Sequence, residues 1–162
     1  VPAAGRRARA RQAVGRPALL RLAVHAADDA DRQRLIDNGW QLADPKEVAH
    51  TPEAFRDYIY SSAAELSAAQ GMYVDTRCGW FSDRSARYLA AGRPALVQDT
   101  GWSAHLPTGA GLLRFSNCEE ALDGLDRIAG DWTMHSKRAA AIAREHFDAR
   151  AVLPRFLEIA CS

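Results

Sequence analysis

The sequence predicts an α/β fold, a Rossmann-like parallel sheet flanked by helices, on three observations. The stretch Met72–Gly101 reads as apolar run, glycine-bearing loop, helix, glycine stop and second apolar run, the order of a βαβ unit. On either side of it, short apolar runs alternate with segments of helical period. Helix start and stop residues fall where that alternation requires them.

Taken in order, Val1–Leu22 carries Arg6, Arg7, Arg9, Arg11, Arg16 and Arg21 and no acidic residue. A targeting segment or a nucleic-acid arm has this composition. The expected reading is a solvated basic tail or linker over residues 1–22, with a domain over 23–162. A strand is expected within Leu19–Ala26. Asp28–Asn38 begins with acids and meets Gly39 as its stop, which predicts a short helix. Trp40–Ala43 is a further strand, closed by Asp44-Pro45. Thr51-Pro52-Glu53 then supplies an N-cap, a proline for the first helical position and an acid. Phe55, Ile59, Ser62, Leu66 and Ala69 recur at helical spacing, so this helix is expected to run to about Gln70 and to carry Tyr58, Tyr60, Ser61 and Glu65 as well.

In the central unit, Tyr73 and Val74 begin a strand that Gly79 breaks. Ser82 stands at a helix N-cap, Ala86–Ala91 favours helix, and Gly92 with Pro94 brackets the end. Pro94–Val97 is the second strand and Asp99–Gly101 the turn after it. Ligands of a parallel sheet sit at the carboxyl ends of its strands, which puts Thr76–Asp83 and Asp99–Gly101 on one rim. Trp102–Gly109 is a surface loop. Gly109-Ala110-Gly111 precedes an apolar run rather than a helix, so it does not make a dinucleotide fingerprint. Leu112–Phe115 is a strand, and Asn117 with Glu120 starts a helix whose face is Ala121, Leu122, Leu125, Ile128 and Ala129. Another helix covers about Trp132–His146. Pro154 is expected to kink the last helix or to delay its start.

The chain of 162 residues suits one domain of ordinary size. A net charge of +1 provides no global field for nucleic acid or an anionic membrane. No apolar run approaches the roughly 20 residues of a transmembrane segment. Cys78, Cys118 and Cys161 are odd in number and fit no metal spacing, and a reduced cytoplasm is the simplest compartment. His25, His50, His135 and His146 also lack ligand-like spacing, and neither a metal nor a cofactor is expected.

Gly79–Arg84 (GWFSDR), Tyr88–Pro94 (YLAAGRP), Gln98–Gly101 (QDTG) and His105–Leu113 (HLPTGAGLL) resemble the donor-binding half of group 1 glycosyltransferases of the GT-B fold. The resemblance spans roughly residues 39–160. It implies the C-terminal of two Rossmann-like domains, the one that holds a nucleotide sugar. A cytoplasmic transferase half follows as the expectation. Its partner N-terminal Rossmann-like domain, with the acceptor site, would lie outside a chain that has room for one domain. In the family the C-terminal helix crosses back towards that partner. Many members carry a Glu-x7-Glu motif here; Gly79 and Arg87 stand at those positions, so no carboxylate is carried over.

A nucleotide sugar presents a diphosphate, and a glycine loop feeding a helix start offers amides and the positive end of a helix dipole. Gly79 lets the backbone approach, and Phe81, Ser82 and Asp83 supply the N–H groups. Arg84 offers a guanidinium fork, while the carboxylate of Asp83 competes unless it turns away. Each has a structural alternative: Ser82 and Asp83 as caps, Arg84 as partner of Asp83 or Asp99. Trp80 and Phe81 can stack on a base or sugar or belong to the core. Thr100 and Gly101 can touch the donor or only form a turn. His105 is a candidate acid, base or phosphate donor. The competing functions are a non-catalytic interaction module derived from a transferase half, and a sugar-nucleotide epimerase-like enzyme.

Overall fold

The computed structural model describes residues 21–23 and 29–161. The basic segment lies outside the described residues up to position 20. Backbone contacts divide the chain into two compact units, residues 1–61 and 62–162.

In the first unit, β1 (Arg21–Ala23) pairs in parallel with β2 (Gln41–Ala43). Between them runs α1 (Asp29–Asp37), with Asp29 and Asp31 in its first turn and Gly39 beyond its end at φ 81°. A short helix, α2 (Pro45–Val48), is capped by the Asp44 carboxylate, which accepts from the Lys46 amide at 2.8 Å. The start predicted at Thr51 is the N-terminus of α3 (Pro52–Ser61), where Thr51 Oγ1 accepts from the Ala54 amide at 3.1 Å.

That helix stops nine residues earlier than its periodicity suggested, at Ser61 instead of Gln70, and Glu65 is not on it. Glu65–Ser67 forms a strand, β3, in parallel register with β4 (Ala95–Gln98): Glu65 faces Ala95, Leu66 faces Leu96 and Ser67 faces Val97. The predicted strand at Tyr73–Val74 is likewise replaced, by a short helix, α4 (Gly71–Asp75). The physical reason is the burial of β3. Glu65 and Ser67 are buried and Leu66 is only half-buried, the reverse of the hydropathy pattern that marks a strand. The βαβ unit therefore exists with its first strand displaced towards the N-terminus, and it continues through α5 (Asp83–Ala90) into β4.

β5 (Leu112–Phe115) completes the order β3-β4-β5, all parallel. Successive residues of β4 face opposite sides, and both sides are covered. Ala95 and Val97 pack with Leu89 of α5 and with Ala139, Ile142 and Ala143 of α7 (Trp132–His146). Leu96 packs with Leu113, Phe115 and Ile128, the last from α6 (Cys118–Gly130). Asn117 Oδ1 caps α6 by accepting from Glu119 and Glu120, and the Glu120 carboxylate reaches back to the Ser116 amide. The last helix, α8 (Ala149–Ala160), starts without delay and runs through Pro154. No helix among the described residues is long and apolar enough to cross a membrane.

Gly111 shows how closely the layers approach. Its φ is +76°, and a Cβ there would overlap the backbone of Arg138 and Ala139. Its amide donates to Nδ1 of buried His135 at 3.0 Å, which fixes the neutral tautomer with the proton on Nε2. Burial, followed by repulsion from Arg127, holds the His135 pKa below its ordinary value of 6.5. The unfolded chain thus takes up a proton that the folded chain refuses until lower pH. Stability from neutral His135 is complete above pH 6.5 and is lost as pH falls through that value and the lower folded one. His135→Gln, which cannot titrate, should flatten the fall in denaturation midpoint seen in the native chain between about pH 7 and pH 5. Gly111→Ala should cost roughly 3 kcal/mol or more in chemical denaturation, from strain and overlap together. Gly79→Ala, with φ +77° but nothing within 4 Å, should cost only about 1–2 kcal/mol.

Candidate functional site

The rim at the carboxyl ends of β3 and β4 is made by two loops that clasp each other. The Gly79 amide donates to the Thr100 carbonyl at 2.8 Å, and Thr100 Oγ1 donates to the Trp80 carbonyl at 2.7 Å. Thr100 is 0% exposed. Gly101, at φ +102°, lies so near the chain that a Cβ would stand 2.9 Å from the Arg77 carbonyl oxygen. Arg77 itself holds φ 48°, a left-handed conformation rare for a residue with a side chain. The predicted neighbours Thr76–Asp83 and Asp99–Gly101 are thus brought together.

Asp99 organises the second loop. Its carboxylate accepts from the Gly101 amide at 2.9 Å and from Ser103 Oγ at 2.7 Å, with Arg114 Nη1 3.6 Å away. Burial pushes its pKa up, but these hydrogen bonds and the guanidinium outweigh burial and hold it below the usual carboxylate value. The loop they shape is a 3₁₀ turn, Trp102–Ala104, whose Trp102 is buried and donates from Nε1 to the Gln98 carbonyl at 3.0 Å. The amide of Gly101 and the hydroxyl of Thr100 are therefore occupied within the protein. His105 follows the turn and is exposed.

The first loop ends at the N-terminus of α5. Ser82 is the N-cap, its Oγ accepting from the Arg84 amide at 3.2 Å. The N–H groups of Phe81, Ser82 and Asp83 meet no acceptor among the described residues. The Asp83 carboxylate lies 2.8 Å from Arg87 Nη2, one turn along the helix, whose positive charge offsets it. Arg84 turns to β3: Nε donates to Glu65 Oε1 at 2.6 Å and Nη2 to Ser67 Oγ at 2.9 Å. Its partner is Glu65, neither Asp83 nor Asp99, and its Nη1 has no acceptor among the described residues. The Arg84 side chain is 49% exposed and that of Glu65 only 5%.

The two aromatic candidates separate. Phe81 belongs to the core, stacked on Phe147 at 5.5 Å and edge-on to Trp102 at 5.3 Å. Trp80 is 50% exposed and stacks on Tyr73 with ring centroids 5.2 Å apart and planes 23° apart. Tyr73 was not expected at this site. Glu65 was expected on a helix, where only the family resemblance raised it above a solvated face; it lies instead on a strand whose hydropathy is inverted. Tyr73 reaches the rim because its segment is helix and not strand. Among the described residues no three His, Cys, Asp or Glu side chains group to hold a metal.

The chain matches no protein-family model, no curated protein and no solved structure. Residues 62–162 are a small α/β domain with a three-stranded parallel sheet flanked by helices, a generic Rossmann-like arrangement.

The Glu65–Arg84 pair is testable. Arg84→Ala leaves a buried carboxylate without its cation and should destabilise the chain by about 2–3 kcal/mol, less than a wholly buried pair because the guanidinium is half-solvated. Adding Glu65→Gln to Arg84→Ala should restore part of that loss in urea denaturation.

Proposed function

We propose that residues 62–162 bind the donor in a glycosyltransferase of the group 1, GT-B type, moving a sugar from a nucleotide-activated donor to an acceptor. The observation that supports this most is the α5 N-terminus. Three amides without protein acceptors among the described residues stand beside Gly79 at the carboxyl end of a parallel sheet, and the Asp83 carboxylate is paired with Arg87. Such an end favours a diphosphate. On this reading the amides of Phe81, Ser82 and Asp83 receive phosphate oxygens. Arg84 adds charge through Nη1, and the exposed His105 is a further donor from the second loop. Asp99, Thr100 and Gly101 act by holding that loop in shape.

The reaction has the acceptor hydroxyl oxygen attack the anomeric carbon as the bond from that carbon to the diphosphate oxygen breaks. The nucleoside diphosphate departs with the bonding pair. The hydroxyl proton goes to a base on a partner N-terminal Rossmann-like domain, which also holds the acceptor. A face for such a partner is offered by α8, where Val152, Leu153, Phe156 and Leu157 are 44–62% exposed.

A second reading, a non-catalytic module derived from such a half, is favoured by one observation. Arg87, which occupies a position acidic in many members, pairs with Asp83, so no carboxylate faces the donor there.

Calorimetric titration of the folded chain with nucleoside diphosphates and nucleotide sugars should give binding at millimolar ligand or below; its absence favours the second reading. Asp83→Pro is the sharper variant. Proline is welcome at the first helical position, and Ser82 already has the extended ψ of 136° that a following proline requires. The variant should fold, lose one amide and weaken diphosphate binding by roughly 1.5–3 kcal/mol relative to Asp83→Ala. Equal affinities for the two variants would remove that amide from the site.

A further inference from the structure

We infer that the outer face of Trp80, backed by Tyr73, is the seat of a nucleobase. This rests on the donor-binding reading and names the part of the ligand that the aromatic pair would take. Half of Trp80 is exposed although one face is already covered by Tyr73, so the solvent reaches its other face. An indole left in water on the loop between α4 and α5 is unusual when the adjacent Phe81 is drawn into the core against Trp102 and Phe147.

The ring is also held in place. The Trp80 carbonyl is tied to buried Thr100, and the Gly79 amide before it is tied to the same residue's carbonyl. The tyrosine on the inner face restricts the indole further. A platform rigid before the ligand arrives loses little entropy on binding. Strain is stored beside it, in the left-handed Arg77 that Gly101 contacts.

The geometry favours a base over a sugar ring. Tyr73 and Trp80 lie 23° from parallel at 5.2 Å, an offset stack that a third flat ring extends. A pyranose instead presents hydroxyls around its edge, which need several polar partners. Met72, beside Tyr73 in the chain, is exposed and apolar and supplies none. The stack lies on the loop that leads to the α5 amides, so one ligand with a base and a diphosphate can engage both.

The test uses the whole chain with four probes: uridine diphosphate, adenosine diphosphate, inorganic pyrophosphate and glucose 1-phosphate. Both nucleotides should bind and quench the tryptophan emission, and pyrophosphate should bind without quenching. Trp80→Ala should raise the Kd of the nucleotides roughly five- to a hundredfold and leave that of pyrophosphate unchanged. Trp80→Phe should recover most of the affinity, and Tyr73→Ala should lose an intermediate amount. Truncating the indole leaves the carbonyl bond of residue 80 intact, and Trp80→Phe guards against a folding defect. Nucleotide binding indifferent to Trp80→Ala would overturn the inference, as would a Trp80 dependence confined to glucose 1-phosphate. Failure of the folded native chain to bind either nucleotide or pyrophosphate would instead overturn the donor-binding reading, and the platform with it.

Discussion

Everything at the rim depends on burying one carboxylate. Glu65 opens β3 with almost no exposed surface, and a charge in that position is tolerable only with a partner. Arg84 provides it from the first turn of α5, and the same guanidinium reaches Ser67 two residues further along the strand. One side chain thus bonds Glu65 Oε1 and Ser67 Oγ, leaving Glu65 Oε2 buried without a partner, and pins the strand to the helix that follows. Without this pairing the segment Glu65–Ser67 has little reason to leave water, since its sole apolar residue, Leu66, is only half-buried. The sheet would keep β4 and β5, but the loop that carries Gly79 would lose its anchor on the strand side.

The other end of that loop is fixed by backbone geometry. Thr100 both accepts from Gly79 and donates to the Trp80 carbonyl, and Gly101 has room beside Arg77 only because it lacks a Cβ. Asp99 then locks the chain beyond it with two hydrogen bonds and a nearby arginine. Hydrogen bonds in such a buried cluster reinforce one another more than isolated ones do. The consequence for chemistry is a division of labour. Residues whose types suggested ligand contact, Asp99, Thr100 and Gly101, spend their polar groups on the loops. The amides of Phe81, Ser82 and Asp83, without acceptors among the described residues, and the half-exposed Trp80 ring are the groups left for a ligand.

This division explains how far the sequence could be read. Elements with conventional signals were legible nearly to the residue: Leu112–Phe115 as a strand, Trp132–His146 as a helix, Ser82 and Asn117 as caps. β3 was not legible, because its buried residues are polar and its apolar one half-buried, and because Ser62, Leu66 and Ala69 continue the helical spacing of Phe55 and Ile59 past the real end at Ser61. That periodicity carried the expected helix on to Gln70; pairing with β4 outweighed it. Tyr73 and Val74 were misread for the complementary reason, a β-branched and aromatic pair that tertiary context placed in a short helix. At the rim the sequence identified the two loops that meet, and it could not assign their polar atoms. Arg84 pairs with neither of the carboxylates the sequence offered, Asp83 and Asp99, because its partner Glu65 sits on a strand whose position was itself hidden.

Electrostatics at α5 give the proposed donor site its particular character. The chain has a net charge of only +1, and the first turn of α5 holds one acid and one base. Attraction for an anion there cannot come from accumulated positive charge. Beyond the half-solvated Arg84 fork, it must come from fixed backbone dipoles, which act over a short range and demand close approach. Close approach is what Gly79 permits, having nothing within 4 Å of where a side chain would begin. The Asp83–Arg87 pair matters in the same way: it sets a guanidinium 2.8 Å from the one acid of the helix and so offsets the negative charge beside the amides. A site of this kind selects by shape before charge, which is why a rigid aromatic face beside it is the natural complement.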